Sequence, residues 1–88
     1  MNITKVKSDY TIKETDPLIV CDSGIALALT LKSAIGKEDV FYIKNIGAGD
    51  VTVTATLPDL IDGAATKVLA QYESCLLCDY GVNTWIVI

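Results

Sequence analysis

Three cysteines are the first residues in this chain whose chemistry and spacing suggest a site. Cys75 and Cys78 have the Cys-x-x-Cys spacing of zinc and redox centres. The residues around them have a β-strand pattern, and side chains three positions apart on a strand point to opposite faces. There is no histidine, and Cys21 is the only further thiol. We therefore predict that these cysteines are reduced and act as small, buried apolar side chains.

Aspartates in predicted turns are the next candidates, because carboxylates bind calcium and can act in pairs as acid and base. They are Asp16, Asp22, Asp59, Asp62 and Asp79. An aspartate in a turn usually accepts hydrogen bonds from nearby backbone, and none of these stretches has the dense alternating ligands of a calcium loop. A glycosidase pair would also need a substrate cleft, for which 88 residues leave little room. We predict no metal site and no bound cofactor.

The sequence also argues against an enzyme. With no histidine there is no histidine base or triad, and the serines at 8, 23, 33 and 74 have no partner motif. Aromatic side chains remain as contact residues, because they combine apolar area with a polar tip. They are Tyr10, Tyr42, Tyr72, Tyr80 and Trp85. We expect Trp85 and Tyr72 in a core or an interface, whereas Tyr80, in a predicted loop, is the candidate contact to a glycan or a partner protein.

The charge of the chain disfavours several classes of partner. The net charge is -4, and all 7 basic residues are lysines that are scattered along the sequence. Without arginine there is no bidentate fork for phosphate or guanine, so we expect no nucleic-acid partner. The sequence starts without a secretory signal, and no apolar run approaches the roughly 18 residues of a membrane helix. We expect a soluble protein that is made in a cytoplasm and has no membrane partner.

The clearest strand pattern lies between residues 40 and 56. Val51, Val53 and Ala55 alternate with threonines, as on a strand with two different faces. A β-branched and aromatic run precedes them at 40–46, and the intervening Gly-Ala-Gly-Asp carries two glycines free to adopt positive φ. This pattern predicts a β-hairpin.

The rest of the sequence alternates short apolar runs with turn residues and predicts an all-β single domain of about eight short strands. The further strands are predicted at 9–13, 18–21, 26–31, 67–70, 73–78 and 85–88. Turns are predicted at 14–17, 57–63 and 79–83, and a polar connection with one short helical turn at 33–39. Residues 1–8 are interpreted as an N-terminal arm or linker, so that the β-module spans 9–88. A sandwich, a prism and a β-helix-like arrangement all fit this spacing.

Six short motifs carry a resemblance to a known family. They are Ser8–Ile12 (SDYTI), Tyr42–Gly47 (YIKNIG), Val51–Thr54 (VTVT), Ile61–Gly63 (IDG), Gln71–Ser74 (QYES) and Asn83–Ile88 (NTWIVI). In this order they resemble a small β-module of bacteriophage tail-fibre and related virion surface proteins, over about residues 8–88. The chain departs from that family in its three cysteines, in a short loop at 22–25 and in starting at its own Met1 without a long fibre.

The resemblance implies a non-enzymatic structural protein located in the virion. Its fold would be a β-rich homotrimer that serves as a capsid decoration, a head fibre or a tail-fibre segment. Its partners would be further copies of itself and other capsid or tail proteins. The alternative is the receptor- or glycan-binding tip of a tail fibre, which would contact a host surface glycan.

The apolar content also predicts that copies of the chain associate. Apolar residues make up 51% of the chain and the mean hydropathy is +0.44. A folded chain of this size hides only roughly 60 to 70% of its unfolded surface. A tight sandwich or barrel that folds alone is the alternative. The interface residues predicted for a trimer are Leu27, Leu29, Phe41, Ile43, Asn45, Val51, Val53 and Trp85.

Two polar features of this predicted interface lead to separate hypotheses. Asn45 shares a strand face with Phe41 and Ile43, so either it bonds a polar group inside or that face is partly wet. A buried, partnered asparagine on a symmetry axis would fix the register between copies. If the chain trimerises, Cys21 or Cys78 is able to meet its symmetry mates at an axis.

Overall fold

The computed structural model describes residues 3–13 and 16–88, and β-branched and apolar residues dominate its strands. The ten strands are β1 (Ile3–Val6), β2 (Tyr10–Thr11), β3 (Leu18–Cys21), β4 (Leu27–Thr30), β5 (Val40–Asn45), β6 (Val51–Thr54), β7 (Leu60–Ile61), β8 (Thr66–Leu69), β9 (Ser74–Gly81) and β10 (Thr84–Val87). The all-β class is confirmed, with ten strands where about eight were predicted. These two ranges contain no helix, so the helical turn predicted at 33–39 is not formed.

The strands form two mixed sheets on either side of one core. The six-stranded sheet has the order β1-β3-β5-β9-β10-β7, and the four-stranded sheet has the order β2-β4-β6-β8. The first six strands alternate between the sheets, so β1, β3 and β5 are parallel in one and β2, β4 and β6 are parallel in the other. Antiparallel pairing then adds β9 to β5 and β8 to β6. The chain therefore winds through three coils, like a short β-helix, within a two-sheet sandwich.

The hairpin predicted for residues 40–56 is wrong. β5 lies between β3 and β9 in the six-stranded sheet, whereas β6 lies between β4 and β8 in the four-stranded sheet. Phe41 and Ile43 of β5 therefore face Val51 and Val53 of β6 across the core, and all four are buried. In a hairpin these side chains would share one face of one sheet. The alternation has a period of two in both arrangements, so it does not distinguish them.

The two glycines of this crossing allow close stacking of the backbone and do not supply positive φ. The crossing lies against the preceding one, which joins β3 to β4, and the N–H of Gly49 donates to the carbonyl oxygen of Ser23 at 2.9 Å. A Cβ on Gly47 would lie 2.3 Å from the backbone nitrogen of Ser23, and one on Gly49 would lie 2.1 Å from the carbonyl oxygen of Ile25. A side chain at either position would push two successive coils apart.

Three further predictions about strands are corrected. Ile3–Val6, assigned to an arm, forms β1 and pairs in parallel with β3. Leu60–Ile61, inside the predicted turn at 57–63, forms β7. β9 continues through Gly81, and the chain reverses next to Asn83, whose φ of 59° is a left-handed conformation that asparagine tolerates. Residues 14 and 15 of the turn predicted at 14–17 lie outside the described residues.

The inward-facing side chains of both sheets fill the core. Phe41 and Trp85 pack there with their ring centroids 5.9 Å apart. The residues predicted for a trimer interface are all part of this core and at most 4% exposed: Leu27, Leu29, Phe41, Ile43, Asn45, Val51, Val53 and Trp85. They therefore have no surface left for a second copy. The accessible surface of 4862 Å² is close to the about 5,000 Å² expected for a folded 9.4 kDa monomer, so one copy covers this core by itself.

Candidate interaction surface

Asp16, one of the calcium candidates, bonds three groups of its own chain. Its carboxylate accepts hydrogen bonds from the hydroxyls of Thr4 at 2.7 Å and Tyr10 at 2.5 Å, and from the N–H of Lys13 at 2.9 Å. Burial acts to raise the pKa of Asp16, but these bonds outweigh it and the pKa lies below its usual value. The hydrogen bond that Tyr10 donates to Asp16 raises the pKa of Tyr10. The carboxylate thus joins β1 and β2 to the start of β3.

Asp79 and Asp59 hold the connection between β4 and β5 in the same way. Asp79 is fully buried and accepts hydrogen bonds from the N–H groups of residues 35–37 at 2.8 to 3.3 Å. Burial acts to raise its pKa, but these bonds and the charge of Lys32 outweigh it, so the pKa of Asp79 lies below its usual value. Asp59 accepts from the N–H of Ala34 at 2.6 Å. Asp59 satisfies a buried backbone donor and Asp79 satisfies three part-buried ones, which explains the place of both carboxylates in the core.

Asp22 and Asp62 lie at the surface. Asp22 forms an ion pair with Lys7 at 3.5 Å, and since both side chains are exposed the pair contributes little to stability. Asp62 accepts a hydrogen bond from the N–H of Val87 at 3.1 Å. Among residues 3–13 and 16–88, no group of three or more histidine, cysteine, aspartate or glutamate side chains is placed to hold a metal ion.

The three cysteines occupy different environments. Cys75 points into the core and Cys78 lies half-buried on the opposite face of β9, as predicted from their spacing on a strand. Cys21 is also buried, and burial raises the pKa of its thiol to about 11. Burial likewise raises the pKa of Cys75. Cys21 is thus withdrawn from any intersubunit contact, whereas Cys78 remains at the surface.

Asn45 completes its hydrogen bonds inside the chain. Its Nδ2 donates to the carbonyl oxygens of Gly49 at 2.9 Å and Leu69 at 3.0 Å, and its Oδ1 accepts from the N–H of Gly47 at 3.0 Å. Of the two hypotheses for Asn45, the structure shows the internal bond. The side chain ties the end of β5 to the crossing that follows and to β8 in the opposite sheet.

The outer face of the six-stranded sheet, the face turned away from the core, is apolar across five strands. One row across the sheet consists of Ile3, Leu18, Tyr42, Leu76 and Ile88. The next row consists of Val40, Cys78 and Ile86. On the other side of the first row are Lys5, Val20, Lys44 and Ser74. Two adjoining rows are therefore free of charge, and a third carries two lysines.

The side chains of this outer face remain accessible in the single chain. Ile88 is 71% exposed, Tyr42 50% and Val40 42%. Leu76, Cys78 and Ile86 are half-buried. Contiguous apolar surface of this kind on a small domain marks a site of contact with another molecule. The outer face is therefore the candidate functional site.

The sequence contains a signal for this face that is separate from the catalytic and core residues predicted above. Strands of the six-stranded sheet are continuous apolar runs: Leu-Ile-Val-Cys at 18–21, Val-Phe-Tyr-Ile at 40–43, Cys-Leu-Leu-Cys at 75–78 and Trp-Ile-Val-Ile at 85–88. In the four-stranded sheet, β4 and β6 alternate leucine or valine with alanine or threonine. Strands buried on both faces have continuous apolar sequences, whereas strands with one face in water alternate. The contrast predicts that only the six-stranded sheet is covered on its outer face.

Polar groups mark the two ends of the outer face. Tyr80, predicted to lie in a loop, belongs to β9 and is 69% exposed at one end. At the other end, the Lys44 Nζ donates to the carbonyl oxygen of Tyr72 at 2.6 Å. Next to this end is a shallow cavity of about 440 Å³, lined by Ile3, Lys5, Val6, Lys7, Val20, Asp22 and Ile46. Aromatic and cationic side chains thus border the apolar rows.

Comparisons with known proteins identify no relative, so a function for the chain has to be argued from the geometry of this surface. No family model, curated protein or solved structure matches the chain. In the part of the chain that the structure describes, no helix has the length and apolar character needed to cross a membrane. The resemblance to phage virion modules stays a prediction from sequence motifs.

Proposed function

We propose that the chain is a non-enzymatic structural module of a bacteriophage virion, in which three copies form a projection on the particle surface. The module serves as a capsid decoration, a head fibre or a segment of a tail fibre. The observation that carries the proposal is the apolar outer face, which suits a protein whose work is contact with other proteins. The motifs at 8–12, 42–47 and 83–88 are among those that support the virion context.

The internal polar bonds also support a mechanical role. A surface projection has to keep its loops in place, and fully satisfied buried polar groups rigidify the backbone around them. Asn45 fixes the crossing between β5 and β6, Asp16 fixes the first two coils, and Asp79 fixes the connection before β5. A body held in this way presents its outer face without rearrangement.

Attachment to phage particles tests the proposal. The purified chain is mixed with capsid shells and, separately, with tails of a phage whose genome encodes it, and bound protein is counted after sedimentation. Saturable, stoichiometric binding to shells supports decoration or a head fibre, and binding to tails supports a tail-fibre segment. Binding to neither particle would contradict the proposal. The Val40→Glu variant, altered on the outer face, should bind more weakly than Val68→Glu, altered at an exposed valine of the other sheet.

The second candidate function is a glycan-binding tip, and the exposed tyrosines favour it. Tyr80 is 69% exposed and Tyr42 50% exposed on one sheet face, where an aromatic ring can stack on a sugar. A glycan array with the native chain and with Tyr80→Ala tests this function. Loss of binding in Tyr80→Ala, with binding kept in Tyr72→Ala, supports it, because Tyr72 is 66% exposed but lies in the loop before β9. If the native chain binds no glycan on the array, a tip that recognises any of the tested glycans is excluded.

A further inference from the structure

We propose that the outer face of the six-stranded sheet is the surface through which copies of this chain associate, with Cys78 near the centre of the contact. The proposed function supplies the copy number of three, but the assignment of this face is independent of it, because two such faces packed on each other form a dimer and three that meet at a threefold axis form a trimer. The eight core residues expected at a trimer interface are buried inside each copy. Any association therefore has to use side chains outside the core, and the outer face holds the broadest apolar set of them.

The size of the outer face fits a specific interface. Strands in a sheet lie about 4.8 Å apart and rise about 3.3 Å per residue, so five strands and the span Ser74–Tyr80 of β9 cover roughly 20 Å by 20 Å. This projection of roughly 400 Å² underestimates the accessible area, because side chains stand out from the sheet. With its bordering residues the face approaches the about 800 Å² per partner of a standard protein interface. A single interface of this kind can hold copies together.

The shape and chemistry of the face favour another copy as the occupant. A sheet packs face to face on another sheet at about 10 Å when both present apolar side chains. The described chain has one such surface of matching size, which is the outer face itself. The outer face of the four-stranded sheet differs, because Thr11, Thr30, Thr54 and Thr66 form a row across it. Its hydroxyls suit contact with water better than a dry interface.

Cys78 provides a reporter at the centre of the proposed contact. It lies on β9 between Val40 of β5 and Ile86 of β10, and these two strands flank β9 in the sheet. The other two thiols are buried in the core. Alkylation of the native protein by a small maleimide therefore reports on Cys78 alone. If copies cover the outer face, the alkylation rate should fall as the protein concentration rises.

The first experiment measures the mass of the native chain by light scattering over a wide range of concentration, together with the alkylation rate of Cys78. A trimer with concentration-dependent protection of Cys78 supports the inference and the proposed copy number. A dimer with the same protection supports the assignment of this face but overturns the copy number. A protein that stays monomeric at all concentrations overturns the inference. So does an oligomer in which Cys78 reacts at the same rate at every concentration.

Two matched variants locate the contact. Val40→Glu places a charge on the outer face and Val68→Glu places one on the opposite sheet, at valines that are 42% and 52% exposed. Val40→Glu should weaken association by at least about tenfold, equal to about 1.4 kcal/mol, and Val68→Glu should leave it unchanged. Ile86→Lys, also on the outer face, is the second variant if Val40→Glu does not fold. Equal association of the native chain and a folded outer-face variant would overturn the inference.

The inference and the proposed function can fail separately. A monomer that still saturates capsid shells would overturn self-association through the outer face and leave the virion role standing. A trimer that protects Cys78 but binds no phage particle would overturn the virion role and support self-association through the outer face. The two sets of measurements therefore test different statements about the same surface.

Discussion

Asn45 in the six-stranded sheet donates a hydrogen bond from its side-chain Nδ2 to the backbone carbonyl oxygen of Leu69 in the four-stranded sheet, at 3.0 Å. Asn45 is fully buried and Leu69 is 2% exposed, so the bond lies in the interior. The same amide group bonds Gly47 and Gly49 of the crossing between β5 and β6. The two sheets are therefore held in register by a polar contact as well as by apolar packing.

Replacement of Asn45 by leucine tests this contact. Asn45→Leu keeps the number of side-chain heavy atoms but leaves the buried carbonyl oxygen of Leu69, the buried N–H of Gly47 and the part-buried carbonyl oxygen of Gly49 without their partner. Each buried group left in this state costs about 1 to 3 kcal/mol, so we expect a loss of at least about 2 kcal/mol in the free energy of unfolding by urea. Gln71→Leu, which removes an exposed amide that donates to Ile46 at 3.3 Å, is the control and should change it by less than about 0.5 kcal/mol. An unchanged urea midpoint for Asn45→Leu would show that the bond to Leu69 is dispensable.

A pair of glycine variants tests the close stacking of the crossings. Gly47→Ala would place a Cβ 2.3 Å from the backbone nitrogen of Ser23, so the two coils must separate. Overpacking of this kind costs about 1 to 3 kcal/mol or more. Gly24→Ala is the matched control, since a Cβ at Gly24 would have no heavy atom within 4 Å. We expect a lower thermal midpoint for Gly47→Ala and an equal or higher one for Gly24→Ala. Equal midpoints for the two variants would contradict the stacking argument.

The buried carboxylates predict how stability depends on pH. Burial acts to raise the pKa of Asp16 and Asp79, but hydrogen bonds outweigh it and lower the folded-state values. A lowered folded-state pKa means that the unfolded chain binds the proton more tightly. The stabilisation is therefore complete above the ordinary carboxyl pKa of about 3.9 and is lost as the pH falls through the folded-state values. Urea unfolding between neutral and acid pH should show stability decreasing below about pH 4.

Asp79→Asn isolates one of these groups. The amide has a single acceptor oxygen for the three N–H donors of residues 35–37 and carries no charge. We expect lower stability at neutral pH and a smaller decrease at acid pH than in the native chain. Asp50→Asn, at an exposed position, is the control and should keep the native pH profile. If Asp79→Asn keeps that profile too, the assignment of the pH dependence to Asp79 is wrong.

The three thiols should differ in their reactivity. Burial raises the pKa of Cys21 to about 11 and also raises that of Cys75, so both are protonated and inaccessible in the folded chain. At most one thiol per chain, that of Cys78, should react with a thiol reagent at about pH 8, and all 3 should react after unfolding in guanidinium. Two or more fast thiols in the folded protein would place Cys21 or Cys75 outside the core.

The strand content of this protein follows from local patterns in its amino-acid sequence. Apolar runs of strand length, punctuated by glycine, proline and aspartate, predict an all-β chain, and most predicted strands coincide with observed ones. The inward positions of Phe41, Ile43, Val51 and Val53 also follow from alternation. So does the separation of Cys75 from Cys78 onto opposite faces of β9. These features depend on local backbone geometry, in which successive side chains alternate.

The way in which the strands combine into sheets depends on long-range packing. The alternation in β5 and β6 is the same for a hairpin and for a crossing between sheets, and the choice depends on contacts with β3, β4 and β8, which are distant in sequence. The partners of Asn45 and Asp79 depend on the same distant contacts. Every residue predicted for an interface lies in the core, because the two sheets of one chain already bury it. The continuous apolar runs indicate a second apolar face, but only the register between the strands aligns its residues across five strands.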